Sequence, residues 1–396
     1  MPRCGPDGQG DCSAAAGRWH DPRMAPTPPG SRAREVRICL VGFGSIARTH
    51  ASALAALPTV RPLPFRPVLA AIVTERPDDV AADAARLGAR LLTLEHALAD
   101  PAIDAFDVAS RNDRHLEQAG AILRAGRPLY LEKPVRRTPD EASTLTDLAA
   151  RSPAVAQAGL VTRYTTTALA ARSLVRAGAI GELRQARLGI FHGSYLDPAR
   201  PTSWRLEAAA AGGGAMLDLG LHLVDLVRFL FGEPRLLAAR HATFVPERPD
   251  GSGGRRAVDV DDWCWAELGL PGGARVTVEA SRVALGAEGE PFELYGSEGS
   301  LVGDLGDGRP LRLQRFDGRE AEFRARADGD PQLRAVRDLR PPARLTLGPF
   351  VDAHAAALHH FLLRSLERDP LPGFAPTLSD SAAAERLVAD MTGTSG

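Results

Sequence analysis

Val36-Arg37-Ile38-Cys39-Leu40-Val41-Gly42-Phe43-Gly44-Ser45-Ile46-Ala47 decides how the rest of the chain is read. A short apolar run closes on glycine, passes through Gly-x-Gly-x-x-Ala, and gives way to a helical pattern that continues to about Ala56. Strand, glycine turn and helix in that order form the arrangement that holds a dinucleotide. Gly42 permits the tight turn, Gly44 lets the backbone approach a pyrophosphate, and the small Ala47 allows helix and strand to pack closely. Phe43, Ser45 and Ile46 complete the phosphate-facing turn. The first N–H groups of the helix, with its positive dipole end, then face the phosphates.

Outward from that turn the pattern repeats. A proline-rich connection, Leu57 to Pro67, leads to a second buried strand, Val68 to Val73. Its end carries the positions that sort the adenosine ribose: Glu75 suits a bare 2′-hydroxyl, whereas Thr74 with Arg76 suits a 2′-phosphate. The cofactor expected is NAD or NADP, with a lean to NADP. Helix 77–87, strand 89–93, helix 94–99 and strand 106–109 continue an alternation that implies a parallel sheet.

Two singular residues fall at the ends of strands in this sheet. Asn112 is the only asparagine in the chain and Lys133 the only lysine, all other basic residues being arginine. Asn112 sits in Ser110-Arg111-Asn112-Asp113-Arg114-His115, and Lys133 in Leu131-Glu132-Lys133-Pro134. Carboxyl ends of strands are where a doubly wound sheet binds its ligand. A lysine preserved among arginines suggests work arginine cannot do, because arginine keeps its proton at any working pH. Proton transfer is that work.

After a helix from about Asp140 and a strand from Ala154 to Val161 the regular alternation ends. Gly212-Gly213-Gly214 opens a helical run that is apolar nearly all round. Its exceptions, Asp218, His222 and Asp225, share one face. A polar stripe on a buried helix must meet partners or a wet cleft. Asp225 fits an internal network; Asp218 and His222, nearer the glycines, fit a cleft. Farther on, segments at 235–244, 260–270, 273–283, 291–296 and 310–315 read as an open, mostly antiparallel sheet, followed by helix 349–367 and a last helix from about Asp380. The expected architecture is α/β: an N-terminal doubly wound parallel sheet over 34–160, then an α+β domain over 161–396. Residues 1–33 read as a disordered tail.

Composition sets limits around this. Hydrophobic content of 44%, charged content of 24% and a net charge of −1 describe a globular protein without the basic field that nucleic acid demands. No apolar run reaches the length of a membrane span. Cys4, Cys12, Cys39 and Cys264 lack metal-ligand spacing, so no metal is expected, and a reducing cytoplasm is the expected setting.

Gly42 to Ala47 with His50, Asn112 with His115, Glu132-Lys133-Pro134, and Gly212-Gly213-Gly214 through Asp218 and His222 resemble the glucose–fructose oxidoreductase, inositol dehydrogenase and rhizopine-catabolism family over roughly residues 36 to 390. The resemblance implies a nicotinamide-dependent oxidoreductase acting on a secondary alcohol or ketone of a sugar, cyclitol or related polyol. It implies Lys133 as the acid–base group, with His222 and Asp218 as its catalytic partners. Cofactor contacts are implied for Gly42, Phe43, Gly44, Ser45, Ile46, Thr74, Arg76, Ser110, Asn112, His115, Glu132 and Lys133. Substrate contacts are implied for Lys133, Arg163, Tyr164, Asp218 and His222. A homodimer or homotetramer through the C-terminal sheet is also implied. Two positions depart from the family pattern: Arg111 replaces a proline before Asn112, and Thr165-Thr166-Thr167 replaces the proline after Arg163-Tyr164. Two other readings remain: a member that cleaves a glycosidic bond through transient oxidation with retained NAD, and a non-catalytic nucleotide or sugar sensor.

Overall fold

The protein is described by a computed structural model covering residues 34–306, 309–323 and 331–393; the tail expected over 1–33 lies outside the described residues. The first six strands are β1 (Arg34–Val41), β2 (Phe65–Val73), β3 (Arg90–Leu92), β4 (Ala105–Val108), β5 (Leu129–Leu131) and β6 (Ala156–Ala158). They form one parallel sheet in the order β3-β2-β1-β4-β5-β6. Its crossovers are α1 (Ser45–Val60), α2 (Pro77–Leu87), α3 (Leu94–Ala99), α4 (His115–Arg124) and α5 (Pro139–Arg151). Local chemistry marks their ends. Asp78 and Asp79 sit in the first turn of α2, Gly88 closes it in the left-handed region at φ 68°, and Thr138 with Glu141 makes a capping box on α5.

Strand order reverses between β1 and β4, and this switch point forms the crevice where such sheets bind ligands. The approach there is close. A side chain at Gly42, which has φ +93°, would press on Ala109 O and Ser110 Cα, each 2.7 Å away. Only glycine fits this turn.

The second sheet holds eight strands in the order β16-β15-β14-β13-β7-β12-β11-β8. In chain order they are β7 (Leu183–Phe191), β8 (Arg235–Ala242), β11 (Trp263–Gly269), β12 (Arg275–Ser281), β13 (Pro291–Gly296), β14 (Gly299–Asp304), β15 (Leu311–Arg315) and β16 (Glu320–Phe323), with a separate hairpin of β9 (Glu247–Pro249) and β10 (Arg255–Ala257). Neighbours are antiparallel except β7 and β12. The sheet is therefore mixed and mostly antiparallel, as expected, although β7, one of its central strands, has no counterpart among the expected elements.

The remaining helices are α6 (Thr166–Arg176), the short α7 (Ala208–Ala211), α8 (Leu221–Phe231), α9 (Pro331–Leu339), α10 (Pro349–Ser365) and α11 (Leu378–Thr392). Helix α10 leaves the second sheet and packs on α1. Ala53, Leu54 and Leu57 of α1 thereby share a core with Ala356, Leu358 and Phe361 of α10. No helix among the described residues is long and apolar enough to cross a membrane.

Candidate active site

A cleft of about 570 Å³ opens between the switch point and the second domain. Ser45, Ile46, Ser110, Asn112, Glu132, Lys133, Asp218 and His222 all line it. Residues drawn from four separate stretches of sequence thus meet in one place.

At one end lies the N-terminus of α1. Gly44 is its cap, no side chain satisfies the first N–H groups, and the first turn carries no acidic residue. A Cβ at Gly44 would meet nothing within 4 Å, so space is open above these donors. Free N–H groups, open space and the absence of a repelling carboxylate fit a pyrophosphate. Phe43 is buried, with the Arg48 guanidinium 4.6 Å over its ring. Thr74, Glu75 and Arg76 lie at the end of β2. Glu75 pairs with Arg114 at 2.6 Å, and Arg76 pairs with exposed Asp79 at 3.3 Å.

At the other end Lys133 Nζ donates to the Asp218 carbonyl at 2.6 Å and to Asp218 Oδ1 at 2.9 Å. The strand β5 delivers Lys133 to the edge, and the Lys133–Pro134 peptide is cis. Two contacts hold this loop. His115 Nδ1 donates to Pro134 O at 2.7 Å, and Val135 N donates to buried Glu385 of α11 at 2.8 Å. Burial pushes the pKa of His115 down, so its ring is neutral there. His115 therefore lies behind the loop rather than in the cleft.

Asp218 is carried by a single π turn, Met216–Gly220, at the head of α8. Such turns are rare and frequent at functional sites. The glycines ahead of it are required by crowding: a Cβ at Gly214 would collide with Asp261. The Asp261 carboxylate accepts from Gly214 N at 3.1 Å and Met216 N at 2.9 Å, pinning the turn. Asp218 Oδ2 accepts from Arg282 at 3.0 Å. Burial works against the Asp218 charge, but Lys133 and Arg282 outweigh it and hold its pKa well below the usual carboxylate range. His222 is the opposite case. Burial, with Lys133 adding to it, lowers its pKa to about 3, so the ring is neutral.

Asn112 donates from Nδ2 to Ala211 O at 2.7 Å, tying the first domain to α7 across the cleft, and Ser110 Oγ donates to Gln118 at 2.6 Å. Arg111, in place of the family's proline, pairs with Asp113 at 2.9 Å and lies 5.6 Å from the Trp204 ring at the cleft edge.

Arg163 and Tyr164 are not brought to the cleft. Arg163 is 5% exposed and grips Asp225 with two hydrogen bonds, at 2.8 and 2.5 Å. Burial opposes its charge, yet Asp225 outweighs burial and raises its pKa. Tyr164 is fully buried with its hydroxyl 2.9 Å from His360 Nδ1. Neither residue lines the cleft, because each polar group already has a partner inside the core. Asp225 lies in the internal network anticipated for it.

Sequence reasoning missed Asp261, Arg282 and His354 as parts of the site. Arg282 and Asp261 sit beside strand ends, where they read as ordinary charged residues, and His354 sits in an alanine-rich helix. A larger cavity, about 780 Å³, lies beside Arg61 and Arg340, but both donate to backbone carbonyls and none of the expected site residues line it.

A dinucleotide crevice joined to a lysine–carboxylate pair and a neutral histidine defines a nicotinamide-dependent oxidoreductase. Residues 36–160 match the model of the oxidoreductase family with an NAD-binding Rossmann fold, and residues 168–302 match the GFO/IDH/MocA C-terminal domain. The chain belongs to the GFO/IDH/MocA family of oxidoreductases, whose named members include dehydrogenases and reductases acting on CH–OH groups. It is 34% identical over 291 residues to levoglucosan dehydrogenase of Pseudarthrobacter phenanthrenivorans, covering 68% of this chain and 73% of that protein. Inositol 2-dehydrogenase of Rhizobium meliloti is 24% identical over 280 residues, covering 70% of this chain and 78% of that protein. The solved structure of levoglucosan dehydrogenase with NADH and levoglucosan superposes with a TM-score of 0.80 at 28% identity, covering 91% of this chain and 97% of that one.

Proposed function

We propose that this enzyme transfers a hydride between a nicotinamide cofactor and a secondary alcohol or ketone of a sugar, cyclitol or related polyol. Lys133 is its acid–base group, and Asp218 and His222 are its catalytic partners. The observation that carries this is the placement of the chain's single lysine, Nζ 2.9 Å from Asp218, in the cleft that also holds the open N-terminus of α1.

Bound along that terminus, the nicotinamide cofactor supplies the hydride acceptor or donor. The protein supplies position and proton transfer. An ammonium has three donors; two of Lys133's meet Asp218, and the third is directed to the reacting hydroxyl. In the oxidation direction the amine form takes the hydroxyl proton, and in reduction the ammonium returns it. Neutral His222 shares the same hydroxyl by hydrogen bond. Asp218, kept ionised between Lys133 and Arg282, holds the lysine in place through the proton's departure and return.

At the ribose end, Glu75 is engaged by Arg114, whereas Arg76 pairs, among the described residues, with the exposed Asp79 and can turn toward a 2′-phosphate. The cofactor reading is therefore NAD or NADP with a weak preference for NADP. A homodimer or homotetramer through the second sheet, in the cytoplasm, completes the reading. The test is a panel of anhydrosugars, sugars and inositols with each cofactor, followed by reduced-nicotinamide absorbance. Turnover with a polyol is the expected result; no absorbance change with any member, while cofactor still binds, overturns it.

A further inference from the structure

Beneath the cleft floor lies a buried polar cluster that the proton transfer at Lys133 does not use. His50 of α1 has no exposure, and both of its ring nitrogens are occupied. Asp107 at the end of β4 meets Nδ1 at 2.9 and 3.1 Å. Glu132 Oε1 lies 3.3 Å from Nε2, and His354 Nδ1 lies 3.1 Å from the same nitrogen. Asp107, Glu132 and His354 are 1%, 4% and 2% exposed.

Two buried carboxylates without a cation would carry a heavy desolvation penalty. Among the described residues, His50 is the side chain that forms an ion pair with each. An imidazolium, with a proton on both nitrogens, meets both carboxylates. Burial works against that charge, but Asp107 and then Glu132 outweigh it, lifting the His50 pKa to about 10. With His50 in that form, its Nε2–H donates to His354 Nδ1 at 3.1 Å. In that arrangement the proton of neutral His354 lies on its other nitrogen, Nε2. His354 borders the cleft, within electrostatic reach of His222 and Lys133.

We propose that His354 is a substrate-binding residue, an obligate Nε2–H donor to an acceptor oxygen of the polyol, with its polarity set from below by His50. The proposal rests on the polyol reading of the cleft. Because the donor cannot also accept, it favours a ring or bridge oxygen, or a hydroxyl lone pair, over a group that must donate. His50 is a positioning residue in this scheme, since it touches neither substrate nor cofactor.

The ligand atoms of His50, Glu132 and His354 also lie within 4.8 Å of one another, a spacing that a divalent cation would produce. One shared proton accounts for it without a metal, and the experiment separates the two. In the full-length enzyme, His354→Leu is expected to raise the KM for the best polyol about 5- to 50-fold, with kcat within about threefold and NADH affinity within about twofold. His354→Gln, whose amide N–H replaces the donor, is expected to restore KM to within about fivefold of wild type. ¹⁵N-histidine spectra, which need no substrate, are expected to show His50 doubly protonated and His354 neutral with its proton on Nε2. An unchanged KM in a folded His354→Leu enzyme overturns the proposal. Loss of NADH affinity in place of KM assigns the donor to the cofactor and overturns it too. So does a stoichiometric metal in the purified protein, or a proton found on His354 Nδ1. If no polyol turns over, the functional reading fails while the spectra still decide the polarity of His354.

Discussion

Asp218 and Asp225 stand on one continuous helical run and each is gripped by an arginine, yet they serve opposite ends. Asp225 meets Arg163 in a two-bond pair with side-chain exposures of 1% and 6%. Asp218 meets Arg282, itself 1% exposed, but keeps about a third of its own side chain open to the cleft and holds Lys133 as well. Arginine pairing alone therefore does not mark a functional carboxylate. Access does, together with a second cation that can exchange its proton.

The sharpest way to break this comparison is Lys133→Arg. It keeps the charge beside Asp218 and removes the exchangeable proton, so kcat is expected to fall about 100- to 10,000-fold. Melting temperature should stay near that of wild type. Near-normal turnover with the true substrate would mean that the cleft pair is as inert as the buried one.

The complementary substitution is Arg163→Ala. It leaves the Asp225 carboxylate buried and alone, and about 3–5 kcal/mol of stability should be lost. Denaturant titration reads this directly. Turnover per folded molecule should change only a few-fold, and a loss matching that of Lys133→Arg would place Arg163 back in the substrate site.

Acid separates the two regions differently. Burial depresses the pKa of His222 to about 3, of His354 to about 3 and of His359 to about 4, whereas an unfolded histidine titrates near about 6.5. The unfolded chain thus binds more protons below that value. Stability from these three groups is complete above about pH 6.5 and declines as pH falls toward 4. His50, raised to about 10, has the opposite sign: its contribution is complete below about 6.5 and is lost as pH rises through 10. Melting temperature should peak near neutrality and fall on both sides; a monotonic rise toward acid would contradict the neutral histidines.

The smallest effect is expected at Arg76, which is mostly exposed. Arg76→Ala should weaken NADP(H) about two- to fivefold and leave NAD(H) nearly unchanged. Equal loss for both, or none, removes Arg76 from the ribose site.

Much of the first domain was legible because its signals are local. A buried strand closing on Gly42, a capped helix and a strand ending beside Lys133 each announce themselves within about ten residues. The second sheet was harder. Strand β7 alternates Ala186, Leu188 and Ile190 inward against Gln185 and Arg187, so its charges hid a strand flanked by partners on both sides. Within the site, Lys133, Asp218, His222 and Asn112 could be found because type or spacing isolated them. Arg282 and Asp261 act through contacts with a distant glycine turn, and no local pattern encodes that. The placement of Arg163 and Tyr164 in the core was illegible for the same reason: their partners, Asp225 and His360, come from other helices.

His50 and His354 touch across 304 residues of chain, one near the start of the described residues and the other near their end. At ribosomal rates of about 5–20 residues per second, the first emerges on the order of half a minute before the second. During that interval the glycine turn and parallel sheet can form, but the apolar face of α1 that α10 later covers stands open to solvent. The floor of the cleft is thus among the last parts of the molecule to close. A chain terminated ahead of Pro349 would keep its cofactor turn while exposing Leu54 and Leu57, the kind of surface through which unfinished proteins aggregate.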